Sequence, residues 1–229
     1  MIKNAMILAA GFGKRLHPLT LNCPKPLLKI GKETLLTNTI NFLEQFKISK
    51  VFINIHYLGD QIAEYINKKK FNLDIEIIND GKNILNTGGG ILNMMQSSNE
   101  MNFLTFNPDT LWSNSYIKDI QNMEKFYFLN HINNILLLVN KNFSFDKELK
   151  GDFNLVGNKI KKEVKNNLIY TGCQIINKGL FKDHTINNFS ISETWNTLIS
   201  KDNLYGYESS EDFYHLTNLE IYEKLLKNK

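Results

Sequence analysis

Short apolar runs recur along the front of the chain at Ala5–Ala9, Val51–Ile55, Asp74–Ile78, Phe103–Phe106 and Ile135–Val139. Runs of this length, bounded by polar residues, predict strands buried on both faces. Between them the period changes. Leu35, Leu36, Thr39, Ile40, Leu43 and Phe46 share one helical face, and Leu58, Ile62, Tyr65 and Ile66 share another. Such stripes predict amphipathic helices that cover a sheet. Strand and helix periods in alternation predict repeated βα units and a parallel sheet.

After about residue 150 the texture changes. Phe153–Val156 and Lys159–Val164 flank Gly157-Asn158, which predicts a hairpin and therefore antiparallel structure. Leu168–Ile176 predicts a further strand and Ile191–Ser200 a helix. Asn218–Lys227 predicts a terminal helix with Leu219, Tyr222 and Leu226 on one face. No internal repeat or linker interrupts residues 1–229, so one domain is expected.

Charge excludes some classes. The 27 Lys+Arg and 23 Asp+Glu leave a net charge of +4, and short runs such as Lys68-Lys69-Lys70 read as solvated faces. That is too mild for a nucleic-acid surface. Cys23 and Cys173 stand far apart with neither zinc spacing nor a disulfide framework, so a reducing, cytoplasmic setting is expected. The apolar stretch Ala5 to Ala10 ends at Gly11 and is too short for a signal peptide or a membrane span.

Candidate chemistry sits directly after the first strand. Leu8-Ala9-Ala10-Gly11-Phe12-Gly13-Lys14-Arg15-Leu16 turns through two glycines into two cations. Glycine lets backbone N–H groups approach an anion, and Lys14 and Arg15 supply charge for phosphate oxygens. A bare GxG also suits an ordinary strand-to-helix turn. Pro24-Lys25-Pro26-Leu27-Leu28 favours the phosphate reading, because prolines on both sides stiffen the backbone that carries Lys25.

Together, from Met6 to Leu28, these segments resemble the signature of the sugar-nucleotide pyrophosphorylases, the sugar-1-phosphate nucleotidyltransferase family. The resemblance implies an α/β fold: a Rossmann-like, mostly parallel sheet with helices on both faces, here with an added antiparallel β-hairpin. It implies a nucleotide-binding part at about residues 1–110 and a sugar-binding and hairpin part at about 111–229. The implied reaction is in-line attack of a sugar phosphate on the α-phosphate of a nucleoside triphosphate, with magnesium, or manganese in its place, as cofactor.

Residue by residue, the resemblance places the triphosphate on Leu8, Ala9, Ala10, Gly11, Gly13, Lys14, Arg15 and Lys25, with Thr87 and Gly88 of Asn86-Thr87-Gly88-Gly89-Gly90 against the base. Arg15, Lys25 and Asp109 would be catalytic. In Asn107-Pro108-Asp109 the aspartate is the implied metal ligand and Asn107 a substrate contact. Pro108 replaces the family's usual glycine, and His215 falls where the family has a second metal-binding aspartate. Gly151-Asp152-Phe153 is similar to the N-acetylmuramate-1-phosphate uridylyltransferases of cell-wall recycling, implying UTP and sugar contacts at Gly151 and Asp152. An exposed turn aspartate is the other reading of Asp152.

The partners implied are a nucleoside triphosphate and a sugar 1-phosphate, without nucleic acid or membrane, in a monomer or small homo-oligomer. Two other readings stay open: a cytidylyltransferase acting on phosphocholine or another alcohol phosphate, and a non-catalytic nucleotide-sugar-binding protein.

Overall fold

A computed structural model describes residues 1–227. In chain order the elements are β1 Asn4–Leu8, β2 Lys29–Ile30, β3 Glu33–Thr34, α1 Leu35–Gln45, β4 Lys50–Ile55, α2 Gly59–Lys68 and β5 Asp74–Asn79. There follow α3 Asn86–Gln96, β6 Asn102–Phe106, α4 Tyr116–Leu129, β7 Asn134–Asn140, β8 Asn154–Val156 and β9 Lys159–Lys161. The chain continues through β10 Leu168–Asn177, α5 Ile191–Ser200, β11 Tyr205–Ser209 and α6 Leu219–Lys227.

Nine strands form one sheet in the order β5-β4-β1-β6-β10-β7-β11-β9-β8, and β2 pairs with β3 apart from it. Strands β5, β4, β1 and β6 are mutually parallel, and β11 lies parallel to β7. Strand β10 runs antiparallel between β6 and β7, so β7 keeps the direction of β6 without touching it. The expected hairpin is β8–β9, which joins the sheet edge through Tyr205↔Lys159. Its second strand stops at Lys161, short of the expected Val164, which is fully exposed and pairs with no strand among the described residues.

Alternation along each strand builds a core on both faces. Ala5, Ile7 and Ala9 of the β1 segment face the cluster covered by α1, α2 and α4, whereas Met6 faces the one covered by α3 and α5. Each fully buried Leu, Ile or Phe in these clusters contributes about 1.5–3 kcal/mol. Helix α5 has the bounds its sequence predicts because Ser190 and Glu193 form a capping box at its start.

Four elements were not anticipated, among them the two-residue strands β2 and β3. Helix α4 buries Tyr116, Ile120, Met123 and Tyr127, and β11 is so poor in apolar residues that only its pairing with β7 reveals it. The face of α6 also differs: Ile221 and Leu225 are buried, whereas Leu226 is exposed. Docking against Leu16, Leu28, Ile30 and Leu216 selects this stripe, and Tyr222 of the expected face packs partly against the same cluster.

Candidate active site

Register brings the sequence motifs to one edge of the sheet. Ile7 lies opposite both Ile53 and Phe106, so Leu8–Ala10, Asn54 and Asn107–Asp109 all emerge at the carboxyl ends of parallel strands. Open α/β sheets bind ligands in this crevice. Here it forms a cavity of about 390 Å³ lined by Leu8, Ala9, Ala10, Gly11, Gly13, Lys14, Arg15, Lys25, Thr87, Asn107 and Asp109, among others.

The loop after β1 is built for close approach. Gly13 takes φ +64°, and a Cβ there would stand 3.0 Å from Thr20 and 3.2 Å from Lys25. The Thr20 hydroxyl donates to the Gly13 carbonyl at 2.9 Å. Among the described residues nothing lies within 4 Å of where a Gly11 Cβ would sit, so their packing leaves that side of the cavity open. Phe12 packs on Tyr57 with ring centroids 5.3 Å apart, and the Lys14 ammonium sits 5.3 Å above the Phe12 ring.

Lys25 reaches across the cavity to the other motif. Its Nζ donates to Asp109 Oδ2 at 2.5 Å and to the Leu216 carbonyl at 2.7 Å. Two of its three N–H donors are thereby placed, leaving one for a ligand. Asp109 Oδ1 is buried without a hydrogen-bond partner among the described residues. Burial opposes ionisation of Asp109, yet the neighbouring His215 and the Lys25 ammonium bring its pKa down to about 2.

His215 lies beside this pair, with Nδ1 3.6 Å from Asp109 Oδ1. Burial pulls its pKa below the ordinary value and outweighs the attraction of Asp109, so Lys25 is the cation that holds the carboxylate ionised near neutrality. The Thr110 hydroxyl donates to the Thr171 carbonyl at 2.7 Å and must therefore accept from His215 Nδ1 at 3.2 Å. That hydrogen bond fixes the tautomer and leaves Nε2 with the free lone pair. Backbone bonds from Leu111 to Tyr214 and from Leu216 to Asp109, both 2.8 Å, hold the two segments together.

No cluster of three or more metal-ligating side chains occurs among the described residues. The buried, unpartnered Oδ1 of Asp109 nevertheless fits a divalent cation, because magnesium takes one or two carboxylates and completes its shell with phosphate oxygens and water.

The second glycine turn differs from its sequence reading. Thr87 lines the cavity, but the Gly88 and Gly89 N–H groups donate to the Phe189 carbonyl at 3.0 and 3.2 Å. A Cβ on Gly88 would collide with the Phe189 ring, and one on Gly89 with the Asn187 carbonyl. These glycines admit the segment before α5, which caps the orphan N–H groups at the start of α3. Gly88 therefore packs behind the cavity instead of lining it.

Asn107 donates its N–H to the Gly172 carbonyl at 2.9 Å and packs its side chain on Gly172, whose φ is +92°. Gly151 and Asp152 lie outside the cavity lining. Asp152 is exposed, with Oδ2 accepting the Tyr170 N–H at 2.9 Å, two residues from Gly172. A Cβ on Gly151 would collide with the Asn166 backbone, so its glycine serves local packing.

Sequence reasoning missed Asn54, Asp80 and Asn86. Asn54 Oδ1 accepts the Ala9 N–H at 2.9 Å while its Nδ2 donates to Asp80 Oδ2 at 2.8 Å, tying the end of β1 to β4 and β5. Asp80 Oδ1 accepts from Asn93 at 3.3 Å. The available signal was an asparagine inside the apolar run Val51–Ile55, since a polar residue buried in a strand needs a partner.

The description "Nucleotidyl transferase" belongs to the family model that matches residues 4–129. The bifunctional protein GlmU of Methanococcus maripaludis is 29% identical over 178 residues, 78% of this chain and 41% of that protein. An N-acetylmuramate alpha-1-phosphate uridylyltransferase of Neisseria meningitidis serogroup B is 30% identical over 181 residues, 77% of this chain and 76% of that protein. The match thus spans under half of the first relative and about three quarters of the second. A crystal structure of UDP-glucose pyrophosphorylase with UDP-glucose superposes on 100% of this chain and 98% of its own, with a TM-score of 0.80 at 17% identity, which shows a common fold.

Proposed function

Because this chain belongs to the nucleotidyl transferase family, we propose that it joins UTP to a sugar 1-phosphate and releases pyrophosphate. One observation carries this reading: the glycine loop, Arg15, Lys25 and Asp109 converge on a single cavity at the sheet's carboxyl edge. The Neisseria relative, an N-acetylmuramate alpha-1-phosphate uridylyltransferase, supports an N-acetylmuramate 1-phosphate or a similar hexose 1-phosphate as the acceptor. A cytoplasmic setting accords with two free cysteines. Among the described residues no helix is long and apolar enough to cross a membrane.

In this mechanism the Gly11–Gly13 backbone, Lys14 and Arg15 hold the triphosphate, and Lys25 directs its remaining N–H toward the α-phosphate. Asp109, with His215 beside it, would hold magnesium or manganese, which when bound neutralises charge across the phosphate oxygens. An oxygen of the sugar phosphate forms a bond to the α-phosphorus as the bond to the bridging oxygen breaks, and pyrophosphate departs with that electron pair. The substrate supplies the nucleophile, so no protein nucleophile is needed.

Mixing the protein with magnesium, UTP and a panel of sugar 1-phosphates should release pyrophosphate. If nucleotide binds but no combination of the common triphosphates with sugar 1-phosphates or phosphocholine yields pyrophosphate, the protein is a binding module. A second expectation concerns the metal. Imidazole is a poorer partner for magnesium than for manganese, so His215→Asp should raise the magnesium-to-manganese ratio of kcat/KM by roughly tenfold. An identical ratio in both proteins would remove His215 from the metal site.

A further inference from the structure

One of the two anchors of Lys25 is the Leu216 carbonyl, and the contacts that aim this carbonyl lie away from the cavity. The peptide joining Leu216 to Thr217 is one rigid plane, so its carbonyl shifts with the residues at its two ends. At one end the Leu216 N–H donates to the Asp109 carbonyl at 2.8 Å. At the other the Thr217 hydroxyl donates to Asp146 Oδ2 at 2.6 Å, and a β-branched side chain has little freedom at χ1 to take up slack. Asp146 is itself fixed. Its Oδ1 accepts the Glu148 N–H at 3.1 Å, its carbonyl accepts the Ser144 hydroxyl at 2.9 Å, and the Phe145 N–H before it donates to the Phe213 carbonyl at 2.9 Å. Asp146 and Thr217 are only 5% and 4% exposed. A carboxyl group buried on a hydroxyl and a backbone N–H costs more than an apolar side chain in the same place, so stability alone does not account for it.

We infer that Asp146 is a positioning residue: through Thr217 it aims the Leu216 carbonyl at Lys25 and so holds the ammonium in the geometry that transfer requires. Asp146 and Thr217 both lie outside the cavity lining, so they act through Lys25 and not on a ligand. The consequence for the rate rests on the proposed nucleotidyl transfer, whereas the consequence for the lysine does not. With the tether cut, Asp109 is left as the firm anchor and the ammonium is free to turn from the α-phosphate. The glycine loop and Arg15 are carried by the end of β1 and keep their places, so triphosphate binding should outlast the loss of rate.

Asp146→Leu combined with Thr217→Val removes the hydrogen bond and both of its polar groups together, a replacement that leaves stability nearly unchanged. Thr217→Ser keeps the hydroxyl. In the full chain with magnesium, UTP and N-acetylmuramate 1-phosphate, the double variant should lose about tenfold in kcat with KM for UTP nearly unchanged, and Thr217→Ser should stay near native. Acetic anhydride labelling of lysines, read by mass spectrometry without substrate, follows the ammonium itself. Lys178 is the reference, because its ammonium is also held by backbone carbonyls, those of Met95 and Ser98, at the opposite end of the sheet. Lys25 should label several times faster in the double variant while Lys178 stays unchanged, and Thr217→Ser should label as the native protein does. Native labelling of Lys25, or an equal rise at Lys178, would overturn the tether. A faster-labelled Lys25 beside native kcat would deny the tether any part in transfer. Absence of turnover in the native protein would count against the proposed transfer and leave the tether to the labelling. Should the double variant not fold, Thr217→Val alone makes the same comparison with Thr217→Ser.

Discussion

Lys25→Ala is expected to lower kcat by roughly a hundredfold to a thousandfold, the loss of about 3–4 kcal/mol of transition-state stabilisation. During transfer, negative charge spreads around the α-phosphate and onto the departing pyrophosphate, and a cation already fixed nearby needs no reorganisation to meet it. The structure shows what fixes it. Pro24 and Pro26 frame a short 3-10 turn, and the ammonium is held by Asp109 and the Leu216 carbonyl.

The same contact gives the variant a second effect. Removing Lys25 leaves a mostly buried carboxylate unpaired, which costs about 3 kcal/mol of stability. Lys25→Ala combined with Asp109→Asn separates the two, because it should recover thermal stability without recovering the rate. Lys25→Arg should not restore turnover, since a planar guanidinium places its donors differently from a compact ammonium. Steady-state kinetics with thermal unfolding makes the measurement. A folded Lys25→Ala protein with nearly native kcat would reduce the lysine to a surface-turn residue.

Asp109→Asn is the other large effect, and we expect it to cut magnesium-dependent turnover by about a hundredfold to a thousandfold. The amide is nearly isosteric and can still accept from Lys25, but it lacks the charge a divalent cation requires. Manganese titration in the presence of nucleotide should show weaker metal binding in the variant. Native turnover in a folded Asp109→Asn protein would displace Asp109 from the site. A pH signature accompanies it. The folded pKa is depressed to about 2, so the ionised form contributes stability above the ordinary carboxylate range, and this is lost as pH falls from that range through about 2. That part of the acid unfolding should vanish in Asp109→Asn.

Much of this molecule is legible in its sequence wherever the information is local. The apolar runs yield strands because burial on both faces demands continuous hydrophobicity, and Ser190 with Glu193 marks the start of α5 because a cap acts over three residues. The loop Leu8–Leu16 and the turn Pro24–Leu28 carry their chemistry within a single stretch of chain, so glycine, cation and proline can be read together. Tertiary structure alone decides the rest. Lys25 meets Asp109 across 84 residues, and His215 reaches them from a segment with no periodic signal. A glycine triplet suits a ligand's approach and a chain's approach equally well, and only the placement of Phe189 and Asn187 against Gly88 and Gly89 chooses the second. Asn54 is a lone polar residue in an apolar run, which announces only that it needs partners, and Asp80 and Asn86 lie in polar stretches that give no sign of theirs. Which atoms those partners consume, and which are left to face the cavity, depends on how distant strands come into register.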